Sequence, residues 1–250
     1  MQSLSLTIIT VVKNDEKNIE KTIKSIIHQK KTNFEYIIID GNSSDQTLQI
    51  INRYKNDIKQ IISENDNGIY DAMNKGIKYS TGDIVVFCNS GDTFFEDSLS
   101  KVLNIFNTEN FDYVFGTVLR NYTTGKVLKF KHNPLRIFYN FDFATTHSVG
   151  FFLKKSIYEQ IGFYNTKFKC SADYDLYFRL IKNKYNGTVT NKDDIIGEVA
   201  SGGYSSSVSF YSHILEEAKI RIHNKQSLFI VLIIFINSII KNPIKFLKFW

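Results

Sequence analysis

Ile84-Val85-Val86-Phe87-Cys88-Asn89-Ser90-Gly91-Asp92 carries the first chemistry in this chain. Its unbroken apolar run predicts a strand covered on both faces, and the strand ends in an amide, a hydroxyl and a carboxylate. In open α/β sheets ligands gather beyond the carboxyl ends of the strands. An acidic side chain there most simply holds a hard cation or a ligand hydroxyl. The competing reading is that Asp92 caps a helix over residues 93–103. A second acidic turn, Asp40-Gly41-Asn42-Ser43-Ser44-Asp45, follows another apolar run and supplies N-cap residues for a helix. Farther on, Asp173 and Asp175 fall on one expected helix. Asp175 and Arg179, at i and i+4, have the spacing of an ion pair, which leaves Asp173 for chemistry.

The elements that must position these groups alternate along the first hundred residues. Residues 6–12 form an apolar strand, and Ile19, Ile23, Ile26 and Ile27 mark a helix behind Asn14-Asp15. Residues 34–40 predict a second strand, Leu48, Ile51 and Tyr54 a second helix, and residues 60–62 a short third strand. Ile69, Ala72, Met73, Gly76 and Ile77 fall at i, i+3, i+4, i+7 and i+8, the apolar stripe of a helix. The turn before it, Asn65-Asp66-Asn67-Gly68, has ordinary turn chemistry. Such alternation implies right-handed βαβ units and a mainly parallel sheet. Residues 101–205 are more mixed. A hairpin of 113–119 with 126–130 turns at Thr123-Thr124-Gly125, a strand spans 147–153, and helices span 155–160 and 173–184.

The bulk composition fits one α/β domain with an appendage: 250 residues, 43% hydrophobic, two prolines. Cys88 and Cys170 form no disulfide framework, and Cys88 lies in the buried strand, which suits a reducing cytoplasm. The β pattern begins almost at once, so no signal peptide is expected. The net charge of +6, from 31 basic and 25 acidic residues, is spread over scattered lysines with no helix-turn-helix, zinc-finger or RNP-like pattern. Much of the excess, Lys241, Lys245 and Lys248, lies at the tail. That speaks against nucleic acid and for an anionic membrane surface.

The tail from residue 206 changes character. Ile214, Ala218 and Ile222 suggest an amphipathic helix, and residues 228–240 are nearly continuous Leu, Ile, Val and Phe. Thirteen helical residues span about 20 Å, short of a bilayer core of about 30 Å. A shallow, in-plane insertion with lysines at the headgroups and Trp250 at the interface is expected. A buried core or dimer helix is the alternative.

Read in order, these segments resemble the family 2 glycosyltransferases, whose nucleotide-binding domain has the GT-A fold. The resemblance covers about residues 4–205. It rests on Ser5-Leu6-Thr7-Ile8-Ile9-Thr10-Val11-Val12-Lys13-Asn14, on Tyr36 to Asp45, on Glu64 to Gly76, on Asn89-Ser90-Gly91-Asp92 and on Ser171-Ala172-Asp173-Tyr174-Asp175. The stretch from Glu64 to Gly76 is similar to enzymes that build bacterial surface polysaccharides. The resemblance implies a donor site of Thr10, Val12, Asn14, Asp40, Asp66, Asn74 and Asn89, with Asp40 on the uracil or ribose. It implies Asp92 as the ligand of Mg2+ or Mn2+, although the family's acidic triplet stands here as Asn89-Ser90-Gly91-Asp92, with its first two acidic positions missing. Asp173 matches the catalytic base; the Glu-Asp that usually opens that segment is here Ala172-Asp173. His147 stands where relatives carry histidine, so it is a candidate contact to acceptor or diphosphate, with a structural role as the alternative. Gly202-Gly203-Tyr204-Ser205 reads either as a loop closing over the donor or as an ordinary turn.

The expectation is therefore a GT-A domain over 1–205, with a nucleotide-sugar-binding half (1–100) and an acceptor and catalytic half (101–205), followed by a helical, membrane-associating tail (206–250). The fold class is α/β: a mixed, mainly parallel sheet flanked by helices. The implied activity is metal-dependent, inverting transfer from a nucleotide sugar, UDP-linked, to a hydroxyl of a lipid-linked saccharide. The chain would lie in the cytoplasm, peripheral on the inner face of the cell membrane, with pairing of copies through the C-terminal helices. The rival reading is a non-catalytic nucleotide-sugar-binding or scaffolding subunit.

Overall fold

The computed structural model describes residues 4–29, 31–122, 124–139, 143–144, 147–202 and 208–243. The chain opens with β1 (Leu6–Val12), α1 (Ile19–Ile27), β2 (Phe34–Asp40), α2 (Thr47–Asn52), β3 (Gln60–Ser63), α3 (Ile69–Tyr79) and β4 (Ile84–Phe87). All four of these strands run parallel. Then follow β5 (Thr93–Phe94), α4 (Ser98–Thr108), β6 (Tyr113–Phe115), β7 (Thr117–Tyr122), β8 (Gly125–Lys129), β9 (Phe151–Lys154), α5 (Lys155–Ile161), α6 (Ala172–Lys182), β10 (Gly187–Val189) and β11 (Ile195–Val199). The chain's last described helices are α7 (Phe210–His223) and α8 (Leu228–Lys241).

Among the described residues one sheet has the order β10-β6-β9-β4-β1-β2-β3 and a second, smaller one the order β5-β11-β7-β8. In the large sheet only β9 runs against its neighbours. The central strands are mostly apolar because both faces are covered. Ile9, Val11, Ile37, Val85 and Phe87 pack under α3 and α6, while Leu6, Ile8, Ile38, Ile84 and Val86 pack against α1 and α4. Successive residues of a strand point to opposite faces, so each run feeds two cores.

Three expectations are corrected here. The predicted strand over 113–119 is two strands in different sheets, divided at Gly116. A Cβ there would come within 2.8 Å of Ile196 Cγ1, so only glycine lets the chain step between sheets at this spot. Residues 148–150 form a 3-10 turn (Ser148–Gly150), and the strand begins only at Phe151. The helix expected from residue 93 starts at Ser98, after β5, so Asp92 caps no helix.

α7 packs against the residues that precede it. Glu216 accepts from the amides of Lys169 (2.6 Å) and Cys170 (2.8 Å), just ahead of α6. Asn224 Nδ2 donates to Asp175 Oδ1 at 2.8 Å. Ile222, expected on the apolar stripe, points outward, and Ile214 and Ile220 are the buried residues. The ion pair of Asp175 with Arg179 Nε forms at 2.9 Å, with Asp175 buried. Arg179 also donates to the carbonyls of Ile161, Gly162 and Phe163. Asp175→Ala is therefore expected to cost about 3 kcal/mol, the penalty of stranding a largely buried guanidinium. The check is a lower urea midpoint at unchanged slope.

Candidate active site

β1 and β4 are neighbours from which the chain builds the sheet outward in both directions, and such a switch point leaves a crevice at the strands' carboxyl ends. A cleft of about 720 Å³ opens there. Its walls come from the loop after β1 (Val12, Asn14, Asp15), the turn after β4 (Asn89 to Asp92), β7 (Arg120, Tyr122), His147 and Ser148, and the segment Ala200 to Gly202. Tyr70 of α3, Tyr164, and Asp173 and Tyr177 of α6 close it from the other side of the sheet's edge.

Asp92 is almost fully buried. Its Oδ1 accepts from the amide of Ala200 at 2.9 Å, and Ser148 Oγ approaches Oδ2 at 3.4 Å. Burial outweighs these hydrogen bonds and lifts its pKa to about 7. Ser148 Oγ in turn accepts from Asn89 Nδ2 at 3.1 Å, whereas Asn89 Oδ1 is buried without a hydrogen-bond partner. No group of three or more His, Cys, Asp or Glu able to hold a metal ion occurs among the described residues. The donor set that is present, one carboxylate and a neighbouring orphaned amide oxygen, fits a hard cation that draws its other ligands from phosphate and water.

Asp173 stands at the N-terminus of α6. Its Oδ1 accepts from Tyr70 Oη (3.1 Å) and from the amide of Tyr174 (2.8 Å). Burial raises its pKa above the usual carboxylate range, against the opposing effect of those hydrogen bonds. Tyr70, Tyr164 and Tyr177 around it are themselves held un-ionised, chiefly by burial. His147 Nε2 lies 3.5 Å from Arg120 Nη1. Burial, then the charges of Arg120 and Lys129, push its pKa down to about 3, so it is a neutral imidazole at physiological pH.

Of the residues expected at the site, the cleft brings together Val12, Asn14, Asn89, Asp92, His147 and Asp173. Thr10, Asp40, Asp66 and Asn74 do not line it, and each has other work. Thr10 Oγ1 donates to the Cys88 carbonyl (2.8 Å) and bonds Tyr36 Oη, pinning β1 to its neighbours. Asp40, fully buried, accepts from Ser43 N (3.1 Å), Ser43 Oγ (2.5 Å) and Ser63 Oγ (2.6 Å), so it organises its own turn. Asp66 closes a turn by accepting from Gly68 N at 2.9 Å. Asn74 clamps Tyr164, donating to its carbonyl (2.8 Å) and accepting from its amide (3.0 Å). Residues 203–205 of the expected closing loop lie outside the described residues; Gly202 is at the cleft.

Sequence reasoning missed Arg120, Tyr70 and Asp15. Arg120 stacks over the Tyr122 ring at 5.1 Å. Asp15 Oδ2 accepts from Ser90 Oγ at 2.6 Å, tying the loop after β1 to the turn after β4. The one available signal was Asp15's place directly after Asn14 at the end of the first strand.

The sequence profile described as "Glycosyl transferase family 2" matches residues 7–172. A "PGL/p-HBAD biosynthesis glycosyltransferase" of Mycobacterium tuberculosis is 30% identical over 174 residues, 64% of this chain and 63% of that protein. This chain thus spans under two thirds of that relative's length. The "Poly(ribitol-phosphate) beta-N-acetylglucosaminyltransferase TarS" of Staphylococcus aureus is 32% identical over 101 residues, 38% of this chain and 18% of that protein. The crystal structure of S. aureus TarS residues 1–349 in complex with UDP-GlcNAc superposes with a TM-score of 0.74 at 21% identity, covering 95% of this chain and 73% of that one. A mannosyltransferase from Pyrobaculum calidifontis, solved with GDP-Man and Mn2+, superposes at 0.66 with 15% identity over 95% of this chain and 74% of that one. The fold is therefore GT-A, and with a profile match over more than half its length the chain belongs to glycosyl transferase family 2.

Proposed function

We propose that this chain transfers a sugar from a nucleotide donor, a UDP-sugar, to a hydroxyl of a lipid-linked saccharide with inversion at the anomeric carbon. The observation that carries the reading is one cleft lined by both Asp92, at the sheet's switch point, and Asp173, at the start of α6. Family membership and the nucleotide sugars bound by TarS and the mannosyltransferase support the donor class.

In this reading Val12 and Asn14 border the nucleoside, and the diphosphate lies toward Asn89 and Asp92. Asp92 and Asn89 Oδ1 would hold Mg2+ or Mn2+, which neutralises charge on the departing diphosphate. Asp173 takes the acceptor hydroxyl's proton as that oxygen bonds to the anomeric carbon. The bond from that carbon to the diphosphate oxygen breaks on the opposite face, and the nucleoside diphosphate leaves with the electron pair. One protein base suffices, because the leaving group needs no proton. Neutral His147 and the Arg120 guanidinium offer a hydrogen-bonding edge and a cation to the acceptor or diphosphate.

The test is a thermal-shift series with nucleotide sugars plus Mg2+ or Mn2+. A ligand at about 100 times its Kd adds about 2.7 kcal/mol of stability, and about 5–10 °C in a chain of this size. UDP-sugars are expected to give that shift and dinucleotides none. Absence of a shift with every nucleotide sugar removes the reading, whereas binding without donor hydrolysis or transfer to any acceptor favours a non-catalytic subunit.

A further inference from the structure

Two segments far apart in sequence are basic and free of acids. Residues 120–141 hold five Lys or Arg and residues 218–250 hold six, with no Asp or Glu in either. Of the chain's 31 basic and 25 acidic residues, 20 and 25 then remain elsewhere, so these two segments carry +11 and the rest of the chain carries −5. Among the described residues Arg120 lines the cleft, Lys126 pairs with Glu198, Lys129 lies over the Tyr122 ring and Arg221 pairs with Glu217. Arg136, Lys219, Lys225 and Lys241 are exposed.

The fold joins the two segments. Gln226 Nε2, in the turn between α7 and α8, donates to the Phe138 carbonyl at 2.5 Å. This bond holds the 3-10 turn Pro134–Phe138 beside the start of α8. At that corner Leu135, Tyr139, Leu228 and Phe229 are each 68–72% exposed. Leu232, Ile233, Ile236 and Ile240 continue an exposed apolar stripe along α8 to Lys241, while Val231 turns in against α7. β8, which pairs with the cleft strand β7, exposes Val127, and Phe130 just after it is exposed as well.

We infer that this corner and the outer face of α8 form one surface that docks in the plane of an anionic lipid bilayer. Three observations choose that occupant. α8 has 14 residues, about 21 Å, which is too short for a hydrocarbon core of about 30 Å. No helix among the described residues is long and apolar enough to cross a membrane. Exposed apolar side chains carried on two stretches that hold cations and no acids match acyl chains below anionic headgroups. A second copy would instead meet this surface with the same positive surround, which opposes self-association. The second contact, at residues 135–139, is what separates this surface from a simple tail anchor. It sets the angle of the domain on the lipid. The inference needs no donor or acceptor and stands apart from the proposed activity.

Co-sedimentation of the full chain with vesicles tests it, comparing phosphatidylcholine alone with phosphatidylcholine mixed with phosphatidylglycerol. The wild type is expected to bind the anionic vesicles about tenfold or more tightly, and to lose that advantage in high salt. The variant L135E/Y139E should bind them about tenfold more weakly, as should L228E/F229E, both with unchanged melting temperature and nucleotide-sugar binding. The charge reversal R136E/K225E, at solvent-facing positions of the same corner, reads the same surface without touching its apolar residues. Binding by L135E/Y139E and R136E/K225E equal to wild type overturns the two-part surface. So does a wild type that ignores both vesicles and sediments as a dimer that L228E/F229E dissociates.

Discussion

Asp173→Asn is expected to slow transfer by about 10²–10⁴-fold, the usual contribution of a positioned base, while donor binding persists and the protein becomes harder to melt. The substitution is close to isosteric. Asn Oδ1 can still accept from Tyr70 Oη and the Tyr174 amide, the two donors that hold Asp173 Oδ1, so basicity and charge are what change. Burial among tyrosines holds the Asp173 carboxyl above its ordinary pKa, and two consequences follow. First, the acid limb of kcat/KM should lie above the range of an ordinary aspartate, because the base works only once deprotonated. Second, a carboxyl whose folded pKa is raised contributes stability that is full below its unfolded pKa, near 3.9, and is lost as pH rises through the folded one. Above its folded pKa the wild type therefore carries a desolvated charge that the Asn variant lacks. Each 1 kcal/mol so recovered is worth about 2–4 °C at this chain length. Undiminished turnover removes Asp173 from the role of base, and a melting temperature that fails to rise removes the desolvation account.

What the sequence disclosed depended on how local the determining forces were. β1 and β2 cover the residues 6–12 and 34–40 that the sequence marks as strands, because a strand covered on both faces is built mostly of apolar residues. The second sheet left no such trace. β5 has two residues and β11 five, and their partners lie about a hundred residues apart or more in one pairing and nearly eighty in the other. Arg120 became a cleft residue only through that sheet. The expected donor residues that do not line the cleft share a different cause. A polar side chain at a strand end can serve a ligand or its own loop, and spacing does not distinguish them. Asp40 is taken up by Ser43 and Ser63, and Asn74 by Tyr164, whose position 90 residues away no local pattern encodes. Asp175 was readable because its partner Arg179 sits one helical turn along.

Asp92→Asn should weaken donor binding in Mg2+ or Mn2+ by about 10- to 100-fold, while leaving binding in EDTA nearly unchanged. Asn suits this position better than Ala. Asp92 Oδ1 is the acceptor for the half-buried Ala200 amide, and an orphaned amide would cost up to about 1–3 kcal/mol on its own. Asn keeps that acceptor and removes only the charge, which is what a divalent cation requires of a site offering one carboxylate and the Asn89 amide oxygen. Titration calorimetry of wild type and variant, each with and without the cation, closes a four-way cycle. Its coupling energy should reach about 1.4–2.7 kcal/mol, since each tenfold change is worth about 1.4 kcal/mol. A coupling near zero would mean that Asp92 acts only through the Ala200 amide and Ser148, as a brace for the loop over the cleft. The same cycle on Asn89→Ala should give a smaller coupling, because a neutral amide oxygen is a weaker ligand than a carboxylate. If Asn89→Ala matched Asp92→Asn, the cation would have to lie against the turn after β4 as a whole rather than on its one carboxylate.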